Sequence, residues 1–201
     1  KPLSDAANVV ASKLTKENII GARVHPMNIL VAHRQYRSGN GLRGKLTWVP
    51  NYQVLDALDA GFYSAFGGIE PTNTRQMVAL DISGSMGSGS VMGIPNFTPY
   101  EAEAALCMIP LRTEERTLTV AFEKSLVEIG LDRKDSLAAV YRTLQRRGPN
   151  MGRTDCAQPM IYAMERKIPV DVFMIYTDNE TWFGNKHPSI ALQEYRQSMG
   201  I

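Results

Sequence analysis

Apolar positions recur at three- and four-residue steps in the first third of the chain, and this spacing predicts helices. The segment NYQVLDALDAGFYSAF places Leu58 and Phe62 on one apolar face, which must dock on another element. An earlier helix is predicted to begin at Pro26 and to end at Gly39, and a still earlier one to be capped by Ser4. The stretch RSGNGLRGKLTWVPN has no strong period, so we interpret it as a connector.

Beyond residue 74, short apolar segments alternate with amphipathic ones, which is typical of an α/β sheet. The predicted strands are QMVALD, TLTVAF, SLVEIG and VDVFMIYTD, and the predicted helices span 100–112, DSLAAVYRTLQRR, 156–166 and IALQEYRQSM. VALD and VFMIYTD are continuous apolar runs, as expected for central parallel strands covered on both faces. The predicted fold class is therefore α/β, with a mostly parallel central sheet flanked by helices and preceded by a short all-helical segment.

Composition limits the size of the domain, the partners it requires and the cellular compartment that it suits. Of its 201 residues 44% are hydrophobic, enough to fill the core of one domain with an attachment. A net charge of +2 does not itself require a nucleic-acid partner. Two cysteines provide no disulfide framework, which favours a reducing, cytoplasmic setting. No run reaches the roughly 20 apolar residues of a membrane span, and the start at Lys1 without Met indicates a cut in a longer polypeptide.

Candidate metal chemistry lies where the first predicted strand ends, in the sequence Asp81-Ile82-Ser83-Gly84-Ser85. One carboxylate and two hydroxyls at alternate positions offer hard oxygen ligands that suit Mg²⁺ or Mn²⁺. Gly84 allows the turn to close tightly. An ordinary turn is an equally good interpretation of this pentapeptide alone, because aspartate, serine and glycine are common turn formers.

Two further positions favour the metal hypothesis. Thr154 lies in a loop that enters a predicted helix, and Asp178 ends the last predicted strand. Taken singly, Thr154 or Asp155 could serve as a helix cap and Asp178 as a turn former. Together with the first loop they place oxygen ligands where an open α/β sheet binds its ligands, at the carboxyl ends of the strands.

The pattern DxSxS after the first strand, a threonine in a middle loop and an aspartate after the fourth strand resembles the metal-ion-dependent adhesion site of von Willebrand factor A domains. The resemblance implies a Rossmann-like fold in which one ion is held, directly or through water, and one position stays open for an acidic group of a protein partner. The five matching residues are Asp81, Ser83, Ser85, Thr154 and Asp178. One departure is Arg153, which stands where a small residue is expected and would obstruct or guard the site.

Longer stretches resemble the Ro autoantigen family, ring-shaped RNA-binding proteins whose helical-repeat ring is closed by an A domain. They include VHPMNILVA, HRQYRSGNGLRGKLTW, ALDAGFYSAF, EPTNTR, ALDISGSM, RTDCAQPMIYA, VFMIYTDNETWFG and HPSIALQEYR. The resemblance implies that residues 1–70 are the last helices of the ring with its connector. Residues 71–201 would then be the A domain, lacking its final strand. The implied partners are small noncoding RNAs, namely Y RNA and the ends of misfolded RNAs.

Basic and aromatic residues interleave near the connector, a combination able to neutralise phosphates and stack on unpaired bases. The residues predicted to contact RNA are Arg34, Arg37, Arg43 and Lys45. The alternative is that Arg34 and Arg37 form only a solvated helix face and that Trp48 packs internally. This alternative is the stronger one for the segment taken by itself.

A second basic cluster leads toward Thr154 and comprises Arg142, Arg146, Arg147 and Arg153. It would either steer acidic partners or balance nearby acidic residues. Three classes of function remain: an RNA-binding module, a metal-dependent protein-binding domain, and a phosphoryl-transfer enzyme that uses Asp81. Phosphatases resembling haloacid dehalogenases have DxDx, with a carboxylate where this chain has Ser83, so we predict that the chain is not an enzyme.

Overall fold

The computed structural model describes residues 5–147, 154–178 and 184–201. They form two compact units. The first, called here the helical unit, contains residues 5–70 together with Ser90–Phe97. The second, called the sheet unit, contains Pro71–Gly89 and the described part of Thr98–Ile201. Within the described residues, no helix combines the length and the apolar character needed to cross a bilayer.

Four helices make up most of the helical unit: α1 (Asp5–Lys13), α2 (Lys16–Gly21), α3 (Pro26–Ser38) and α4 (Tyr52–Ala65). The other three pack against α4, whose apolar face buries Val54, Leu58 and Phe62. A Cβ added at Gly61 would lie 2.9 Å from the Cδ1 atom of Ile19 in α2, so the glycine leaves room for the end of that side chain.

Both boundaries predicted for α3 are confirmed. Pro26 occupies the first turn, where a proline has no lost hydrogen bond, and the His25 ring accepts a hydrogen bond from the Met27 N–H. Gly39 ends the helix in the left-handed conformation, with φ of 71°. Ser4, the predicted cap of the first helix, lies outside the described residues. Helix α2 was not predicted because its six residues are too few to establish a helical period.

The predicted connector contains a short antiparallel turn, called here the 40–47 hairpin. Asn40 pairs with Thr47, and the Gly41 N–H donates to the Leu46 carbonyl at 2.9 Å. Its returning arm is tied to the end of α3, because the Trp48 N–H donates to the Gly39 carbonyl. The hairpin therefore has a defined backbone, although its sequence shows no strand period.

The sheet unit contains four strands, β1 (Arg75–Asp81), β2 (Arg116–Phe122), β3 (Leu126–Glu128) and β4 (Val172–Tyr176), in the order β3-β2-β1-β4. β1 is parallel to β2 and to β4, and β3 is antiparallel to β2. Helices α5 (Pro99–Thr113), α6 (Leu137–Arg147), α7 (Gln158–Glu165) and α8 (Pro188–Met199) complete the unit. The predicted α/β class is confirmed.

Alternating side chains of β1 enter two apolar layers. Met77 and Ala79 pack in one cluster with Met160 of α7 and Tyr195 of α8. The intervening β1 residues have the opposite orientation and are also fully buried, as the prediction of a central strand requires. Helix α5 packs against β1, and α6 packs against α5.

Among the described residues, the second long apolar run does not occupy the central position that its pattern predicts. β4 is the last strand of the described sheet, and every residue in it is only half-buried. A continuous apolar run indicates parallel pairing and burial, but it does not reveal how many neighbours a strand has. The local sequence of an edge strand covered by helices can look the same as that of a central strand.

Candidate metal centre and basic surfaces

Asp81 is the last residue of β1, and its side chain is fully buried. One carboxylate oxygen, Oδ1, accepts a hydrogen bond from the Ser83 backbone N–H at 2.8 Å. The other, Oδ2, accepts from the Thr177 hydroxyl at 2.8 Å and from the Thr154 hydroxyl at 3.4 Å. Three separate segments of the chain therefore meet at one carboxylate.

The two serines of the DxSxS pattern lie beside this carboxylate. Their hydroxyl oxygens are 3.1 Å apart, with Ser83 buried and Ser85 exposed. A single 3-10 turn, Gly84–Gly87, bends the chain back after β1 and brings the hydroxyls to the same side. Of the five predicted ligands, the structure thus brings Asp81, Ser83, Ser85 and Thr154 together.

Asp178, the fifth predicted ligand, follows β4 at the same edge of the sheet. Its Oδ1 atom is buried and has no hydrogen-bond partner among the described residues. A buried acceptor without a donor is costly, and a bound cation would satisfy it. Its negative charge also acts on Asp81, since it contributes to raising the pKa of that carboxyl.

The oxygen atoms at this edge of the sheet suit a hard cation as ligands. Burial raises the pKa of Asp81, and hydrogen bonds from Ser83 and Thr177 only partly oppose the rise. The ionised form is therefore held at a cost that a positive ion would offset. No group of three or more His, Cys, Asp or Glu side chains within the described residues is arranged to hold a metal. A cation here would depend on the serine and threonine hydroxyls, as Mg²⁺ and Mn²⁺ sites with few carboxylates do.

The structure separates the roles that the sequence left open for Thr154 and Asp155. Asp155 accepts hydrogen bonds from the Ala157 N–H at 3.0 Å and from the Gln158 side chain at 2.8 Å, so it is Asp155 that organises the turn before α7. Gly184, with φ of 102°, lies so close to this carboxyl that a Cβ would be 2.6 Å from it. Thr154 instead points to Asp81, and Arg153 lies outside the described residues.

Two residues of α5 support the site and were not predicted. The Tyr100 hydroxyl lies 2.9 Å from the Ile82 carbonyl and 3.1 Å from the Ser83 carbonyl, so it donates to the loop itself. Burial raises the pKa of Tyr100, which keeps this hydroxyl protonated and able to donate. Only the packing of α5 against the loop reveals this role, because the sequence pattern marks Tyr100 merely as a residue of a helical first turn.

Glu103, one turn further along α5, is 2% exposed. Burial raises its pKa well above the usual range, and the charge of Asp81 raises it further. The backbone N–H of Asp81 opposes this rise, although neither carboxyl oxygen meets a donor in hydrogen-bonding geometry in the part of the chain that the structure describes. A lone acid within the apolar run AEAALCM was the signal in the sequence that could have identified it. Thr177 could have been found too, because it directly precedes Asp178.

The four residues predicted to contact RNA all lie in the helical unit. Arg34 is half-buried on α3 and bonds to the His33 ring at 2.9 Å, whereas Arg37 is exposed near the end of the same helix. Arg43 and Lys45 are exposed in the 40–47 hairpin. The structure thus places two of these residues on a helix and two on the turn that follows it.

The aromatic residues of this region serve packing. The rings of Trp48 and Tyr36 are stacked with their centroids 6.1 Å apart. The Trp48 indole N–H donates to the Tyr36 carbonyl at 2.7 Å, and the Tyr36 hydroxyl accepts from the Asn51 N–H at 3.1 Å. These bonds hold the returning arm of the hairpin against α3.

Known proteins provide a family for this arrangement. Residues 75–201 match the family model described as the Ro60 vWA domain. The chain is 46% identical over 178 residues to the RNA-binding protein RO60 of Deinococcus radiodurans, and 40% identical over 194 residues to that of Caenorhabditis elegans. These alignments cover 89% and 96% of the chain but 33% and 30% of the relatives, so the chain spans about a third of their length.

A solved structure agrees with the sequence relatives. The crystal structure of the Deinococcus radiodurans RO (RSR) protein superposes with a TM-score of 0.92 at 42% identity, covering all of this chain and 40% of that one. The likeness therefore includes the helical unit as well as the sheet unit, and the resemblance inferred from the sequence is confirmed. The chain belongs to the Ro60 family and carries the vWA domain of that family.

Proposed function

We propose that this chain contributes to RNA binding by a Ro60-family protein and that its vWA domain carries a divalent-metal adhesion site. The observation that supports RNA binding best is the 46% and 40% identity to proteins named as RNA-binding, over alignments long enough to include the helical unit. Small noncoding RNAs, including Y RNA and the ends of misfolded RNAs, are the proposed partners. Binding rather than catalysis is the proposed role.

In the helical unit, the proposed RNA contacts are the exposed cations Arg37, Arg43 and Lys45, with Arg34 beside them on α3. Phosphate contacts of this kind supply affinity without reading sequence. Because Trp48 and Tyr36 are stacked on each other, base stacking on them is not part of the proposal. Affinity in this region would therefore be strongly dependent on salt.

In the sheet unit, Mg²⁺, or Mn²⁺ in its place, is the ion proposed for the site. Support comes from the convergence of the donors and from the buried Oδ1 atom of Asp178, which has no partner among the described residues. The proposed ligands, direct or through water, are Asp81, Ser83, Ser85, Thr154 and Asp178. When bound, the ion supplies an electrophilic position for a negatively charged group of a partner. Thr177 and the Ser83 N–H orient the Asp81 carboxylate.

A second candidate function is metal-dependent binding of a protein without RNA binding by this chain. Ser85 is exposed while Ser83 beside it is buried, so the site reaches the surface on the Ser85 side. A carboxylate of a protein partner could approach the ion there. This function and RNA binding are compatible, since they use different units of the chain.

The test is RNA binding by the 201-residue chain, measured by fluorescence anisotropy with a labelled RNA hairpin that carries a single-stranded tail. We expect binding at low salt that weakens steeply as salt rises. No binding at low salt would contradict the proposed RNA contacts. Repeating the titration with Mg²⁺ and with EDTA separates the two candidates: loss in EDTA would link the ion to RNA, whereas equal binding would leave the ion to a protein partner.

A further inference from the structure

Helix α6 carries an exposed basic face that the proposed function does not use. Its inner side buries Leu137, Val140 and Leu144. Its outer side exposes Arg142, Arg146 and Arg147, and no acidic residue occurs anywhere in the helix. Among the described residues none of the three arginines forms an ion pair, and Arg142 alone has a hydrogen bond, to the Ala138 carbonyl.

This basic face extends to the same edge of the sheet as the candidate metal site. α6 begins beside the end of α5, where Arg112 donates to the Asp135 carbonyl and Arg133 donates to the Glu114 carbonyl, both at 2.8 Å. It then packs along α5 for its 11 residues, a length of about 16 Å. Its arginine-bearing end therefore lies toward the start of α5, where the Tyr100 hydroxyl donates to the Ile82 and Ser83 carbonyls.

A fourth cation lies at this edge. Lys124 is exposed in the turn that joins β2 to β3. That turn is tied to the segment carrying Thr154, because the Asp155 N–H donates to the Glu123 carbonyl at 2.9 Å. We define the basic rim as Lys124, Arg142, Arg146 and Arg147. Its members come from two elements that flank the carboxyl edge of the sheet.

We infer that the basic rim is a second RNA-binding surface that contacts the phosphate backbone; this inference rests on the proposed RNA-binding function. Guanidinium groups pair with phosphates through two hydrogen bonds, and unpaired arginines can do so without breaking an ion pair. Protein interfaces need an apolar centre, whereas interfaces with nucleic acid are more polar and positively charged. α6 exposes no large apolar side chain, which favours RNA over an acidic protein.

The test compares three versions of the 201-residue chain. In the rim variant, R142Q, R146Q and R147Q remove three charges while keeping good helix formers. In the control variant, K134Q, K167Q and R196Q remove three exposed charges near the other ends of α6, α7 and α8. The probe is a labelled oligouridylate of about 12 nucleotides, and binding is measured by fluorescence anisotropy at several salt concentrations.

The expected result is that the rim variant binds the oligouridylate about tenfold more weakly than the control variant near 0.1 M salt. Its salt slope is expected to fall by about two, since three contacts to a single strand contribute about 0.7 each. Equal affinity of both variants and the unaltered chain would overturn the rim while RNA binding by the chain stands. No binding by the unaltered chain would overturn both proposals.

Two further measurements exclude other causes of weaker RNA binding by the rim variant. Arg146 and Arg147 also lie in the last turn of α6, where positive charge favours the helix dipole. The rim inference therefore requires the weaker binding to appear well below the melting temperature of the rim variant. If the rim variant instead loses affinity for a polyglutamate peptide and binds RNA normally, the surface serves an acidic protein and the inference is overturned.

Discussion

The candidate metal centre and the 40–47 hairpin are built in opposite ways. At the candidate metal centre Asp81 is fully buried, and hydrogen bonds from three segments hold its carboxylate in place. In the hairpin Arg43 and Lys45 are exposed, and neighbouring Leu46 is 69% exposed. The first site is organised before any ligand arrives, whereas the hairpin presents exposed charges on a short, defined turn.

The difference shows that a fold specifies a buried polar site more closely than it specifies an exposed basic surface. Buried polar atoms must find partners, so their arrangement carries information about the ligand that completes it. Exposed cations need no partner, and their arrangement allows binding without requiring it. The two sites should consequently respond differently to substitution: changes at the metal centre should alter both stability and ion binding, and changes in the hairpin should alter RNA binding alone.

The largest effect is expected for Asp81→Ala, which should lower the affinity of the sheet unit for Mg²⁺ by roughly a hundredfold or more. The physical reason is the loss of the carboxylate on which three segments converge. Isothermal titration calorimetry measures the Mg²⁺ affinity, and thermal melting with and without EDTA measures how much the ion stabilises the fold. Asp81→Asn tests the charge separately, since it removes the negative charge and keeps one of the two acceptor oxygens. Unchanged Mg²⁺ affinity in Asp81→Ala would remove this residue from the proposed ligands.

The next effect concerns the hairpin. Arg43→Gln combined with Lys45→Gln should weaken RNA binding by roughly five- to tenfold, because two phosphate contacts are lost. The free energy of unfolding should change by less than about 0.5 kcal/mol, since both side chains are exposed. Anisotropy titrations and urea denaturation measure the two quantities. Lys13→Gln with Lys16→Gln removes two exposed charges elsewhere in the same unit, and equal weakening in that control would mean that the hairpin has no special role.

A smaller effect is expected for Tyr100→Phe, which removes the hydroxyl that donates to the Ile82 and Ser83 carbonyls. The free energy of unfolding should fall by about 1–2 kcal/mol, because buried carbonyl groups lose their donor. Mg²⁺ affinity should fall a few-fold as the loop loses its support. Tyr141→Phe is a matched control, since within the described part of the chain the Tyr141 hydroxyl bonds only to the exposed Gln145 of its own helix. Identical Mg²⁺ affinity in both variants would show that Tyr100 does not position the loop.

The smallest effect is a pH dependence caused by Glu103. Its folded-state pKa is raised by burial above the ordinary value of about 4.3, so the folded protein binds more protons than the unfolded chain between these two pKa values. Stability in EDTA should therefore fall as pH rises from about 4.3 through the folded-state pKa. Glu103→Gln should lose this slope, whereas Glu165→Gln, at an exposed position, should keep it. Urea denaturation across this pH range measures the free energy of unfolding at each pH. If it falls equally with pH in Glu103→Gln and in the unaltered chain, Glu103 does not cause the pH dependence.

Much of the fold could be predicted from local patterns. The three- and four-residue spacing around Leu58 and Phe62 predicted α4, and Pro26 and Gly39 predicted both ends of α3. The apolar run before Asp81 predicted β1. These predictions succeed because periodicity, glycine and proline act within one element. Helix α2 and the 40–47 hairpin could not be predicted in this way, because neither is long enough to display a period.

One part of the candidate metal centre could be predicted from the sequence, and another part could not. Strand ends in a parallel sheet share one edge, so Asp81 and Asp178 could be placed together from the order of the elements alone. Whether Thr154 or Asp155 turns toward that edge could not be decided from adjacent positions in one loop. The hydrogen bond of Thr154 to Asp81, and the bonds by which Asp155 organises the turn before α7, decide it.

The sequence by itself determined most of the helices and strands, where each apolar strand meets its carboxylate, and which family the chain resembles, because these depend on residues close together along the chain. Only the tertiary structure decided that β4 is the outer strand of the described sheet, that Tyr100 and Glu103 lie against the candidate metal centre, and that α6 directs its arginines toward the same edge. The physical reason is that neighbours distant in sequence are chosen by packing, and packing depends on the shapes of whole elements rather than on any local pattern.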